Sequence, residues 1–159
     1  MVIREAGLLF RGFTLINGQY HKSGQTEIDK DLRAGLLTAM LNFAETAFKV
    51  DLIEYFEGSK YVVAFTGDEI MADDSIDPEP LIGYALLDKT KKIDKHIHKM
   101  VIPLLKEVIK QFCEKFTGKN LSEISQFRGF KNNLDEIFGS STKKIDERLK
   151  STIFFQKKE

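Results

Sequence analysis

Tryptophan is absent from this 159-residue chain, cysteine occurs once, at Cys113, and proline three times. A single cysteine cannot close an internal disulfide, which points to a reducing compartment. No apolar run approaches the ~18 residues of a membrane span. The opening MVIREAGLLF carries too short an apolar stretch for a secretory leader, with Arg4 and Glu5 beside it. The expected setting is the cytoplasm. Net charge is missing too: 24 basic and 24 acidic side chains cancel, so no overall field draws the protein to nucleic acid. The total hides an uneven distribution. Residues 51–79 hold nine acids against Lys60 alone, and residues 88–119 hold nine lysines against four acids.

The motifs that carry chemistry are equally scarce. Gly118-Lys119 is followed by Asn120, and Cys113 stands where a phosphate-binding loop needs its first glycine. No Gly-x-Gly-x-x-Gly occurs, and no Gly-x-Ser-x-Gly elbow accompanies His21. His96 and His98 are two apart, so on a helix they diverge by about 200° and cannot share an ion. Cys113 lies on an apolar helix face beside Phe112 and Phe116, with no cation placed to activate it, and reads as an inert buried thiol. Asp68, Glu69, Asp73, Asp74, Asp77 and Glu79 lack the spacing of a calcium loop and read as a solvated loop. These residues predict no enzyme, no cofactor and no metal site.

What the chain does have is pattern. Leu32, Leu36, Met40, Phe43, Ala44, Ala47 and Phe48 recur at spacings of three and four, predicting a helix over 28–48 with that face buried. Asp29 or Asp31 suits its start. Before it, Ala6–Ile16 and Gln19–Lys22 read as strands joined by a turn at Asn17-Gly18, with Gly12 marking a bulge or a close backbone approach. After it, Leu52–Phe56, Lys60–Thr66 and Leu81–Leu87 read as three more strands, the last apolar on both sides and so central. Gly67–Pro80 reads as a loop. A helical period returns over Ile93–Phe116, stopped by Gly118, with Pro103 expected to bend or split it. Leu121–Phe138 is helical in part, interrupted at Gly129, and Lys143–Phe155 is a further amphipathic stretch. Hairpin-type connections with one helical crossover predict an α+β fold with a mainly antiparallel sheet.

At this level the chain resembles a longin domain, within the profilin-like and roadblock-related group. IREAGLLFRGFTLINGQYHKSG is similar to that family's first hairpin and DLRAGLLTAMLNFAETAF to its first helix. LIGYALLDKTKKID resembles the last strand entering the second helix, and VIKQFCEKF the close of that helix. The resemblance implies a five-stranded sheet in the order 2-1-5-4-3. One helix would lie on one face and two or three C-terminal helices on the other. It covers a domain at 1–138, with 139–159 an amphipathic extension on or beside it. It also implies a non-enzymatic interaction module, a subunit or regulator of a small-GTPase or vesicle-trafficking assembly, paired with another longin or roadblock-type domain.

Two surfaces carry that expectation. Leu52, Glu54, Tyr55 and Phe56 would form an edge strand, its acids guarding against stray pairing and its apolar residues offering a partner interface. Lys89, Lys91, Lys92, Lys95 and Lys99 could meet an acidic partner or an anionic membrane, allowing peripheral membrane contact. Lysines there do not complement the positive end of a helix, so the run is unexpected as pure structure. Two other classes are weighed beside this one. A profilin-like actin or polyproline binder wants an aromatic cluster between the terminal helices, and the absence of Trp counts against it. A small-molecule sensor wants convergent titrating groups, which the sequence does not bring together.

Overall fold

A computed structural model describes residues 2–21, 30–48 and 54–139. Five strands, β1 (Ile3–Phe10), β2 (Phe13–Gln19), β3 (Tyr55–Glu57), β4 (Tyr61–Ile70) and β5 (Glu79–Asp88), form one antiparallel sheet. Their order is β2-β1-β5-β4-β3, as expected. The helix α1 (Lys30–Phe48) connects β2 to β3. After β5 come α2 (Ile93–His96), a π-helical turn (Ile97–Val101), α3 (Ile102–Phe116) and a 3-10 helix (Ile124–Phe130), and residues 131–139 form α4.

The alternation of β1 and β5 divides the core between the two faces of the sheet. Ala6, Leu8, Phe10, Leu81, Ala85 and Leu87 join Leu105, Ile109, Phe112, Phe127 and Phe138 from the C-terminal helices. Leu9, Phe65, Ile82 and Tyr84 point the other way, to Ala34, Leu37 and Leu41 of α1. Gly83 allows α3 to come close, since a Cβ there would stand 3.2 Å from Ile109 Cδ1.

The first turn is not where the sequence placed it. Phe10 pairs with Phe13, and the two residues between them, Arg11 (φ 51°) and Gly12 (φ 79°), make the hairpin turn with both φ values positive. Asn17-Gly18 lies within β2 instead. Asn17 donates to the Glu5 carboxylate (3.2 Å), and at Gly18 a Cβ would meet Tyr20 Oη at 2.5 Å. Positive φ at an arginine is uncommon. Here the side chain is held by Glu79 Oε1 (2.8 Å) and Asp74 Oδ1 (2.9 Å) and lies 4.8 Å from the Phe10 ring centre.

The second correction concerns β4 and β5, which run on past Thr66 and begin before Leu81. Gly67, Asp68, Glu69 and Ile70 pair with Ile82, Leu81, Pro80 and Glu79, so the loop shrinks to 71–78. β3 begins at Tyr55, and the part of that expected strand at Leu52 lies outside the described residues, as does the extension after Gly139.

The third correction is the face of α1. Ala34 and Leu41 are buried, whereas Leu36 is 60% and Met40 39% exposed. At ~100° per residue, Leu36 and Met40 lie roughly 90–130° around the helix from the middle of the buried set. Among the other residues assigned to the buried face, the side chains of Leu32, Phe43, Ala44, Ala47 and Phe48 lie outside the described ones.

The helical run over 93–116 is divided, as expected, next to Pro103, which stands at the start of α3 directly after a π-helical turn. The irregularity is the π turn before it. Ile93, Ile97, Val101 and Leu105 are buried at four-residue intervals. An α-helix turns in 3.6 residues, so at this spacing the four would spread over about 120°, and the wider turn narrows that arc.

Gly7 gives a test of this packing. A Cβ there would fall 2.5 Å from the Ile16 carbonyl oxygen and 2.8 Å from Tyr84 Cε1. Gly7→Ala is expected to destabilise the protein by about 1–3 kcal/mol, read as a lowered urea midpoint with an unchanged slope.

Candidate interaction surfaces

The outward face of α1 is set by what holds its inward face. Glu5 is 1% exposed, in the sheet face under the helix. A buried carboxylate costs several kcal/mol unless it is paired and hydrogen-bonded. Glu5 Oε1 is ion-paired with Arg33 Nη2 of α1 and also accepts from Tyr84 Oη and from Asn17. Burial, and then the Glu5 charge, push the Tyr84 hydroxyl well above its usual range, so it stays a donor. Gly7 opens the space in which the Tyr84 ring lies between the strands and the helix. With α1 clasped this way, Leu36 and Met40 stand on the solvent side, on a helix whose inner residues share a cluster with Phe56 of β3. Neither Glu5 nor Arg33 stood out in the sequence. The one available signal was an acid at an inward position of an otherwise apolar strand.

The expected edge residues are partly engaged. Phe56 turns inward, edge-on to Phe65 with centroids 5.5 Å apart. Tyr55 is half-buried and donates to Asp94 Oδ1 (3.2 Å), and Glu57 pairs with Lys89 (2.8 Å). Glu54 is exposed and binds His98 Nε2. The other ring nitrogen of His98 faces the Asp94 carbonyl at 2.9 Å. Only an imidazolium donates from both nitrogens. Its pKa is accordingly raised, first by the Asp94 carbonyl and then by the Glu54 carboxylate. His98 thus clips the edge of the sheet to the π turn, while the buried Nδ1 of His96 has no hydrogen-bond partner among the described residues.

Of the five lysines singled out, Lys89 is spent on Glu57 and also reaches the Gly58 carbonyl (3.4 Å). Lys91, Lys92, Lys95 and Lys99 are exposed, and the same outward side continues to Lys106 and Lys110. Most acids of 68–79 stay exposed, as expected, but Asp74 and Glu79 hold Arg11, which keeps both carboxyls below the usual range. Cys113 is half-buried, and burial followed by the Asp68 charge pushes its thiol up.

Two open hollows lie around the β1–β2 turn. The larger, of about 270 Å³, is lined by Phe10, Phe13, Leu15, Leu121 and Ile124, with Phe13 56% exposed. The smaller, about 150 Å³, has Thr38, Asn42 and Glu79 in its wall. Among the described residues no group of three or more His, Cys, Asp or Glu could hold a metal ion. No helix among them is long and apolar enough to cross a membrane. No protein-family model matches the sequence, and the curated proteins contain no match to it.

Two measurements probe these contacts. Arg33→Ala leaves the Glu5 carboxylate buried without its cation and is expected to cost about 3 kcal/mol, read by chemical denaturation. For His98 the folded pKa lies above the unfolded one, so its contribution is full below about pH 6.5 and is lost as pH rises through the folded value. His98→Asn should therefore lower the Tm relative to the parent at pH 5.5 and lose that difference by pH 8.5. A difference that stays constant between the two would contradict the clip.

Proposed function

We propose that this chain is a longin-type, non-enzymatic interaction module, a subunit or regulator of a small-GTPase or membrane-trafficking assembly. It would work by pairing with a second such domain through the outer face of α1 and the adjoining β3 edge. The observation that carries this reading is the outward placement of Leu36 and Met40. A soluble domain gains nothing from two large apolar side chains one helical turn apart in water, and such patches mark docking sites. The sequence continues the same spacing at Leu32 and Phe43. The sheet order agrees with the resemblance, which adds the longin expectation. The titrating residues support a binding role over catalysis, because they are occupied in holding the fold: Glu5 on Arg33, Asp74 and Glu79 on Arg11, Glu54 on His98.

Light scattering coupled to size exclusion tests the pairing. The parent chain is expected to show concentration-dependent dimerisation, and Leu36→Glu to weaken it at least about thirtyfold, from ~2 kcal/mol of lost burial per chain. A strictly monomeric parent at high concentration would move the reading to a heteromeric partner, whose capture from native extract should be equally sensitive to Leu36→Glu.

A further inference from the structure

We propose that the outward row of lysines on the α2–α3 helix is a docking surface for an anionic lipid membrane. Lys91, Lys92, Lys95, Lys99, Lys106 and Lys110 are all exposed, and among the described residues none makes an ion pair. Lys91, Lys95, Lys99 and Pro103 follow one another at four-residue intervals, the interval that also separates the buried Ile93, Ile97, Val101 and Leu105. Lys91 and Lys92 lie in the turn that leads into α2, and Lys95, Lys99, Lys106 and Lys110 lie along the exposed side of the helical segment that follows. From Lys91 to Lys110 the row is roughly 25–30 Å long.

Two features make the row unfavourable without a counter-charge. Lysines at i and i+4 repel each other, and cations crowd the end of the helix that is already positive. The local acids do not relieve it. Asp94 is turned aside to Tyr55 and His98, and Glu107 accepts from Gln111 (2.9 Å). Glu114 lies beyond Lys110, where the row ends.

The chemistry of the row favours a lipid surface over an acidic peptide. All the cations are lysines, with no arginine anywhere in 89–119. Lysine offers a point charge without the planar fork that fixes a carboxylate in one geometry. Both hollows lie around the distant β1–β2 turn, so neither offers a peptide a seat beside the lysines. A long, convex, diffusely charged ridge suits a plane of mobile headgroups. The proposal is independent of the pairing face, because α1 covers the other side of the sheet.

Sedimentation of the full chain with lipid vesicles tests it. The protein should pellet with equimolar phosphatidylcholine–phosphatidylserine vesicles and not with phosphatidylcholine alone, and added salt should release it. Each lysine is worth about a fivefold change in partitioning, so Lys95→Ala, Lys99→Ala and Lys110→Ala together should weaken binding about a hundredfold. Lys115→Ala with Lys119→Ala, whose ammonium groups lie by the Phe116 ring, should leave binding within about twofold. Pelleting that ignores phosphatidylserine, or that survives the triple change, overturns the proposal. So does failure to bind either vesicle, and if immobilised polyglutamate then captures the protein through the same lysines, the surface belongs to an acidic protein.

Discussion

The Glu5–Arg33 pair is the constraint from which the geometry of the α1 face follows. A carboxylate in the sheet under a helix has no water to turn to, so its charge must be met by a group carried on that helix. Arg33 meets it, and Tyr84 and Asn17 add hydrogen bonds from the strands on either side of β1. Hydrophobic burial alone is non-directional and would accept more than one rotation of an apolar helix. The ion pair selects one, in which small Ala34 and two leucines contact the sheet. That choice leaves Leu36 and Met40 outside, and with them the surface on which the proposed binding role rests.

This explains which parts of the fold were legible in the sequence. The elements and a mainly antiparallel sheet followed from alternation and helical period, which report local burial, while strand order and the division of the helices between the two faces came from the resemblance. The inward face of α1 did not, since apolar residues occupy a broad arc of that helix and periodicity cannot say which part of the arc turns inward. A contact between Glu5 and Arg33, 28 residues apart, decides it. The hairpin turn failed for a related reason. Asn17-Gly18 has the better intrinsic propensity, yet both residues serve the sheet. Arg11 takes up positive φ beside two acids contributed by the β4–β5 loop and the start of β5. Local preference was overridden at both places by partners far along the chain.

The candidate surfaces were legible unevenly. The lysine run was visible as composition, but its outer limit was not. Lys89 is removed by Glu57, and Lys106 and Lys110 are added once the helix is in register. The edge strand was read correctly as an edge, while Phe56 and Tyr55 proved to have contacts of their own. The exposed pair on α1 was visible as residues but assigned to the core. What the sequence could not supply in each case was orientation, which depends on a neighbour rather than on spacing.

The π turn links packing to surface charge in a way that a regular helix would not. Four-residue spacing in a 3.6-residue helix carries each successive side chain about 40° around the axis. Over the three intervals from Ile93 to Leu105 that drift would add up to about 120°, and between Lys95 and Lys99 to about 40°. The wider turn at Ile97–Val101 narrows the arc of the buried set. A segment that buries Ile93, Ile97, Val101 and Leu105 on one side also fixes the direction of the residues between them, and Lys95 and Lys99 are two of these. The alignment of charge is thus a by-product of core packing, and removing the lysines should leave that packing intact. For the same reason, the lysine surface and the α1 surface can be altered separately, since each is fixed by contacts on its own side of the sheet.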